Sequence, residues 1–573
     1  MGKSKKRANK EYKGKQNKEY KSNKQNVDDI DDKKDLEKDD ITEDNVEKDD
    51  AEKDDAEKDD VEEEHKSKKN KKLCDGLNFN ECELAILRMS IDKAQEKIAK
   101  RVVNSGDIKN IIGIVEDFLK DKHLICYGGT AINNILPVTD QFYNKEVEVP
   151  DYDFFSPTAL EDAKELANIY YKKGFTDVEA KSGQHHGTYK VFVNYIPVAD
   201  ISQLPKEIYN SLKKDAVSVS GILYAPPNFL RMAMYLELSR PAGDTGRWEK
   251  VLKRLTLLNK NFPLTDLNCN KISFQRKMKH SEEEDKITDN VRKTLVNQGV
   301  VFFGGYAVSL YSKYMPKHLK KDLEKIADFD VLSNNPEKTA DIVKERLKDI
   351  GVNNVKIVNK SPVGEIIPEH YEIIVGKDTI AFIYKPVACH SYNTIEINGQ
   401  KVKIATIDTM LSFYLAFLYA DRPYYNAFLD RILCMSKFLF DVEQKNKLEQ
   451  KGLLRRFSIT CYGHQESVPE MRAHKAKMYR ELKKSKDKKM FEEWFLNYNP
   501  DNEANKKNVK EPVKEPVKEP VKESVKEPVK EPVKEPVKEP VKESVKETNT
   551  TQKHKYNKKY HNKTKTNKKW YQI

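Results

Sequence analysis

One pattern occurs twice in this chain, and it limits the possible folds more than any other feature. Leu124-Ile-Cys-Tyr-Gly128-Gly129-Thr130 is a short apolar run closed by two glycines, and Val300-Val-Phe-Phe-Gly304-Gly305-Tyr306 repeats it. An Asp-x-Asp follows each: Asp151-Tyr-Asp153 in the first half, Asp328-Phe-Asp330 in the second. A third stretch, Tyr189 to Asp200, aligns without a gap to Tyr371 to Phe382. Unbroken apolar runs ending in glycine read as buried strands. Glycine lacks a Cβ, so the chain can turn sharply there and bring backbone N–H groups against a bulky anion. Thr130 is placed to cap the helix that follows, and a helix N-terminus is itself a phosphate site. Two aspartates two apart on a strand share one face. The spacing therefore predicts an α+β fold of two related halves, each with strand, Gly-Gly turn, helix, strand and hairpin.

The halves differ chemically. Tyr189 to Asp200 reads as a β-hairpin whose returning strand carries Asp200 beside Asp151 and Asp153. Carboxylates held together repel unless a cation lies between them, and three on neighbouring strands suit two Mg²⁺ ions, one activating a hydroxyl and one holding a triphosphate. At the position of Asp200 the second half has Phe382, which cannot ligate a metal, and Tyr306 replaces Thr130. A lone Gly-Gly-Thr is usually a turn and a lone Asp-x-Asp a solvated loop. Together, in this order, they read as a metal–nucleotide site in the first half, with a second half that is structural or binds RNA.

These residues resemble the nucleotidyltransferase superfamily pattern of Gly-Gly-Thr/Ser, Asp-x-Asp and a later Asp. The wording Tyr-Gly-Gly-Thr-Ala-Ile-Asn with Asp-Tyr-Asp-Phe-Phe-Ser is similar to the poly(A) polymerase catalytic subunits of giant viruses of the mimivirus type, and more distantly to the poxvirus enzyme. The resemblance spans residues 85 to 500. It implies tandem polymerase-β-type domains, the first active and the second degenerate, with flanking helices and disordered tails. It implies template-independent addition of AMP from ATP to an RNA 3′ end, with Asp151, Asp153 and Asp200 as metal-binding catalytic residues for two Mg²⁺ (or Mn²⁺) ions. Gly128, Gly129, Thr130, Asn133, Arg231, Tyr235, Arg247 and Lys250 are the expected nucleotide contacts. A homodimer pairing through the second half, in the cytoplasm of an infected cell or packaged in the virion, is likewise implied by resemblance alone. Uridine addition on the same scaffold and a non-catalytic RNA-binding role are the alternatives. The insert Leu136 to Val149, longer than the common pattern, must loop out.

The remaining chain divides by composition. Residues 1–75 are highly charged and poor in core formers, so they cannot bury enough apolar surface to order themselves. From Lys510 to Glu547 Lys-Glu-Pro-Val recurs; proline in nearly every fourth place blocks helix and sheet and leaves an extended spacer. The lysine- and aromatic-rich end, 554–573, suits single-stranded RNA or reads equally as a solubilising tail. Expected domains are 76–270 (catalytic), 271–400 (degenerate), 401–500 (helical) and the tail 501–573. Arg231 and Tyr235 lie one turn apart on a helix from Asn228 to Ser239. Arg247, Lys250 and Arg254 gather on one side of the next helix, as phosphate clamps or as an ordinary solvated face. The net charge of +12 fits an RNA partner among other acidic ones. No signal peptide or membrane span is read: the longest apolar run, Met410 to Ala420, is too short. Seven scattered cysteines without a Cys-x-x-Cys point to reduced thiols.

Overall fold

The computed structural model describes residues 74–264, 269, 272–276, 278, 283–315, 328–446, 449–485 and 487–502. The charged N-terminal tail up to 73, the Lys-Glu-Pro-Val segment and the basic end lie outside the described residues. The helical periodicity from Leu84 to Leu119 resolves into two helices, α1 (Phe79–Val103) and α2 (Gly106–Lys122). Ser105 separates them, its hydroxyl accepting from the Ile108 N–H at 3.2 Å as the cap of α2. Ile111, Val115, Phe118 and Leu119 of α2 are buried, whereas α1 buries none of its residues.

The first half contains β1 (Ile125–Cys126), α3 (Gly128–Ile135), β2 (Tyr152–Ser156), α4 (Ala159–Lys172), β3 (Val178–Ser182), β4 (Thr188–Val193), β5 (Ile196–Gln203), α5 (Lys206–Lys214), β6 (Val217–Val219) and β7 (Ile222–Tyr224). Helices α6 (Pro227–Leu238) and α7 (Trp248–Asn261) follow. The second half repeats the series as α8 (Glu284–Asn297), β8 (Val301–Phe302), α9 (Gly305–Tyr311), β9 (Phe329–Leu332), α10 (Pro336–Asp349), β10 (Val355–Lys360), β11 (His370–Val375), β12 (Asp378–Tyr384), β13 (His390–Ile397) and β14 (Gln400–Ala405). Next come α11 (Ile407–Phe417), α12 (Pro423–Asn426), α13 (Leu429–Asn446), β15 (Cys461–Tyr462), α14 (Val468–Ser485), α15 (Lys488–Phe495) and β16 (Asn497–Tyr498). The strand β14 crosses position 400, where the sequence suggested a boundary.

Two eight-stranded mixed sheets result, ordered β16-β3-β4-β5-β2-β1-β7-β6 and β10-β11-β12-β9-β8-β14-β13-β15. Apart from β16 at the end of one sheet and β15 at the end of the other, seven strands correspond and their pairing senses match. β2 runs parallel to β5 as β9 does to β12, β1 is antiparallel to β2 as β8 is to β9, and β1 is parallel to β7 as β8 is to β14. The β4–β5 hairpin turns at Asn194 and Tyr195, both at positive φ (51° and 65°), the backbone that a tight two-residue hairpin demands.

Helix α11 is buried along its whole length and packs against α6 and α13. That explains the apolar run of Met410 to Ala420 as core, and among the described residues no helix is long and apolar enough to cross a membrane. Inside this junction Arg456 Nε donates to both Asp408 oxygens at 2.9 and 3.1 Å, and its guanidinium also pairs with Glu443. The thiol expectation is overturned. Cys74–Cys82, Cys269–Cys434 and Cys389–Cys461 form disulfides, leaving Cys126 buried and free. Two of these pairs join residues 165 and 72 positions apart, a proximity that spacing alone does not show.

Candidate active site

The site is assembled by three adjacent strands of the first sheet. Asp153 on β2 is the direct cross-strand partner of Asp200 on β5, and Asp151 sits just before β2, two residues from Asp153 and so on the same face. The Tyr127 N–H donates to the Asp153 carbonyl at 2.9 Å, which seats the Gly-Gly turn beside the acids. Gly128 has φ +73°, and a Cβ there would lie 2.6 Å from Asp153 Oδ2, so both the turn and the carboxylate require glycine.

Burial first, then repulsion from Asp151 and Asp200, pushes the Asp153 carboxyl up to about 7. Asp151 is also raised, by burial and by Asp200. Lys190, directly across β4 from Asp200, pairs with that carboxylate. The group is short of positive charge. Among the described residues no three His, Cys, Asp or Glu side chains close into a metal cage. The donors present are nonetheless hard carboxylate oxygens, the type that holds Mg²⁺.

A row of cations from the start of α7 flanks the turn. Arg247 and Arg254 both depress the Lys250 ammonium, after partial desolvation as the larger cause. Arg247 pairs with Glu237 at 3.3 Å and acts electrostatically on Asp153. Arg254 Nη2 donates to the Tyr143 hydroxyl at 2.6 Å, and its guanidinium lies 4.8 Å from the Phe142 ring centroid. A Cβ on Gly129 would meet Arg254 Nη1 at 2.8 Å. Arg254 is therefore the cation nearest the glycine turn. It was visible only as one of three basic residues on a helix side, because its aromatic partners come from the insert.

Four expected contacts are placed otherwise. Helix α3 begins at Gly128 after Tyr127, so Thr130 lies inside its first turn and caps nothing; its hydroxyl donates to the Asp151 carbonyl at 2.6 Å. Asn133 is buried, and its Oδ1 accepts from the Phe142 and Tyr143 N–H groups at 2.8 and 2.9 Å, anchoring the insert that loops out between α3 and β2. Arg231 is 1% exposed. Its Nε donates to Asn259 at 2.7 Å, while its other nitrogens serve Asn228 and the Phe262 carbonyl at the end of α7. A guanidinium there satisfies helix-end carbonyls. Tyr235 is fully buried near Arg456. Arg231 and Tyr235 therefore belong to the core.

The same position in the second sheet is filled by protein. Phe382 is the cross-strand partner of Asp330, as Asp200 is of Asp153. Arg276 ion-pairs with Asp328 and, at 3.2 Å, with Asp330, and its guanidinium lies 4.6 Å over the Phe382 ring centroid. Burial of Tyr306 against Phe302 and Phe329 occupies the place of Thr130.

A Gly-Gly turn, a carboxylate set on adjacent strands and a flanking cation row bring hard oxygen donors and positive charge to one place, the groups that a metal-bound phosphate needs. Residues 113–244 match the poly(A) polymerase catalytic subunit family. Over 254 residues the chain is 28% identical to a putative poly(A) polymerase catalytic subunit of Acanthamoeba polyphaga mimivirus, covering 42% of this chain and 41% of that protein. Over 181 residues it is 31% identical to the putative counterpart of African swine fever virus, covering 30% and 38%. The matched region thus spans about two fifths of the length of these relatives. The crystal structure of the Megavirus polyadenylate synthase shares the fold with a TM-score of 0.59 at 21% identity, over 74% of this chain and 88% of that one. The chain resembles the poly(A) polymerase catalytic subunits of giant viruses.

Proposed function

We propose that this chain is a template-independent poly(A) polymerase, adding AMP from ATP to the 3′ end of RNA. The observation that carries the reading is the convergence of Asp151, Asp153 and Asp200 on the Gly-Gly turn, with burial holding Asp153 up to about 7. Carboxylates left this short of counter-charge fit divalent cations, and Asp151, Asp153 and Asp200 would hold two Mg²⁺ or Mn²⁺ ions. Such ions, when bound, supply hydroxyl activation and charge stabilisation of the transferring phosphoryl group. Lys190 pairs with Asp200 and orients its carboxylate. Arg247, Lys250 and Arg254 face the triphosphate as point charges and a fork. Adenine choice rests on the names of the relatives; viral mRNA as substrate and work in the cytoplasm of an infected cell are carried by the sequence resemblance alone.

The second sheet, on this reading, is a silent duplicate. Matching strand order supports duplication, and Phe382 with Arg276 in the place of ligand and cations supports silence. A homodimer is supported by α1, where the exposed Leu84, Leu87, Ile91, Ile98 and Val102 recur at three-, four- and seven-residue steps. Such a stripe is a coiled-coil seam, and Glu83 and Arg88 flank it at positions that pair across a parallel dimer.

The test offers each NTP, with Mg²⁺ or Mn²⁺, to the full chain and a labelled RNA primer. Extension should occur with ATP and be lost in Asp151→Ala, Asp153→Ala and Asp200→Ala. Near-normal extension by any of the three, or preference for UTP, would overturn the assignment.

A further inference from the structure

Helix α14 carries a basic face that the site described above does not use. Its 3.6-residue period brings Arg472, Lys475, Tyr479, Arg480 and Lys483 to one side and Glu470 and Glu481 to the opposite one. Leu482 alone is buried in this helix, and Arg472, Tyr479, Arg480 and Lys483 are exposed. Where α14 meets Phe495 of α15 a cleft of about 500 Å³ opens, lined by Arg472, Lys475, Ala476, Tyr479, Arg480 and Phe495. No acidic residue lines it among the described residues.

The cations here are held in place without being neutralised. Lys475 Nζ lies 5.8 Å from the Phe495 ring centroid and Lys483 Nζ 5.7 Å from that of Tyr479, while the two rings meet edge to face at 5.2 Å. The rings therefore fix the ammonium groups and are themselves covered. Arg472 makes no hydrogen bond or ion pair among the described residues, and Arg480 donates only to the Ala476 carbonyl of its own helix, at 3.2 Å. The nearby acids are engaged elsewhere. Glu470 accepts from the Ser467 N–H and hydroxyl at 2.7 Å, Glu481 faces Lys477 at 3.8 Å, and Glu492 pairs with Lys164 at 2.6 Å. Cations in a row with no carboxylate among them suit phosphates, arginine as a fork and lysine as a point charge.

The position of this face relative to the acids points to the polymer that carries those phosphates. Lys475 Nζ donates to the Gly183 carbonyl at 2.7 Å, in the turn between β3 and β4, and the His186 ring of that turn lies 4.3 Å from the Trp494 ring of α15. The Gly183 N–H donates to the Thr188 carbonyl at 2.6 Å. Thr188 stands opposite Ser202, and two residues further along the same strands Lys190 stands opposite Asp200. Two residues along and two strands across place Gly183 about 12 Å from Asp200. We propose that the Arg472–Arg480 face of α14 grips the phosphates of single-stranded RNA a few nucleotides upstream of its 3′ end. That the end lies at Asp200 rests on the polymerase reading above; the phosphate recognition does not.

The full chain in EDTA would be titrated with a fluorescent oligoadenylate, read by anisotropy over a range of salt. Three proteins are compared: wild type, Arg472→Gln with Arg480→Gln, and Lys213→Gln with Lys214→Gln, which removes the same charge from α5. All four side chains are exposed, so their truncation leaves the core intact. Two phosphate contacts carry about 1.4 of the slope of log K against log salt on a single strand. The α14 variant should lose that slope and bind roughly 25-fold more weakly at 0.1 M salt, the gap closing toward 1 M. The α5 variant should keep the wild-type slope. With Mg²⁺ and ATP, the α14 variant should show a raised KM for the primer while kcat and the KM for ATP stay within about twofold. An equal slope in all three proteins, or an equal loss in both variants, would overturn the proposal whether or not the chain adds nucleotide. A chain that loses slope only in the α14 variant yet adds no nucleotide would instead sink the polymerase reading alone.

Discussion

Replacing Asp153 by Asn should make the metal-free protein more stable at pH 8 while removing its activity. In the folded chain Asp153 keeps its proton up to about 7, against an ordinary value of 3.8. Between these values the folded state binds more protons than the unfolded one, so stability falls as pH rises through that window. Above it the full cost of a buried, repelled carboxylate is present; below pH 4 it is gone. At ~1.4 kcal/mol for each factor of ten, the ceiling is about 4 kcal/mol at pH 8, and relaxation brings the expected gain for Asp153→Asn to about 2–4 kcal/mol. The gap should shrink by about half at pH 5.5. Urea unfolding in EDTA at the two pH values measures it. Millimolar Mg²⁺ should stabilise the wild type and not the variant, since only the former can use the charge. If Asp153→Asn is no more stable at pH 8, or its gain is the same at both pH values, the charge-deficit account of the site is wrong.

Gly129→Ala should fold at a cost of about 1–3 kcal/mol, because the added methyl displaces the Tyr143 hydroxyl and the Arg254 guanidinium bonded to it rather than backbone; the KM for ATP should rise about tenfold, and an unchanged KM would remove the Arg254–Tyr143 pair from the phosphate. For the α1 seam, Leu87→Asp with Ile91→Asp should convert a dimer to a monomer by sedimentation at micromolar concentration. A wild-type monomer there would refute the pairing.

The parts of the site that could be read from sequence are those fixed by local backbone rules. Strand alternation carries Asp151 and Asp153 to one face, and an ungapped hairpin sets Asp200 and Phe382 at one register position in their two sheets. Glycine's freedom at Gly128 is equally local. Residues whose partners arrive from far along the chain could not be read in this way. Arg231 looks like a ligand cation until Asn259 and the Phe262 carbonyl close around it. Arg276 is an isolated basic residue until the fold lays it across Asp328 and Asp330. Asn133 and Arg254 take their roles from an insert whose path the pattern left open. The cysteine pairs fail for the same reason, and helix periodicity in α1 gave no sign that its apolar side stays uncovered.

Strand β16 bears on how the protein is made. It pairs with β3 at the outer edge of the first sheet, where Leu496 accepts from the Ser182 N–H at 3.0 Å and Tyr498 reaches Asn168 at 2.8 Å. During synthesis β3 emerges hundreds of residues before its partner exists. At ~5–20 residues per second the interval is on the order of tens of seconds. Throughout it the nascent first sheet presents an unpaired edge, the kind that recruits foreign strands. A ribosome halted short of Asn497 would therefore leave a nascent chain whose first sheet still has an adhesive edge, so translation must run past Tyr498 before this sheet is sealed.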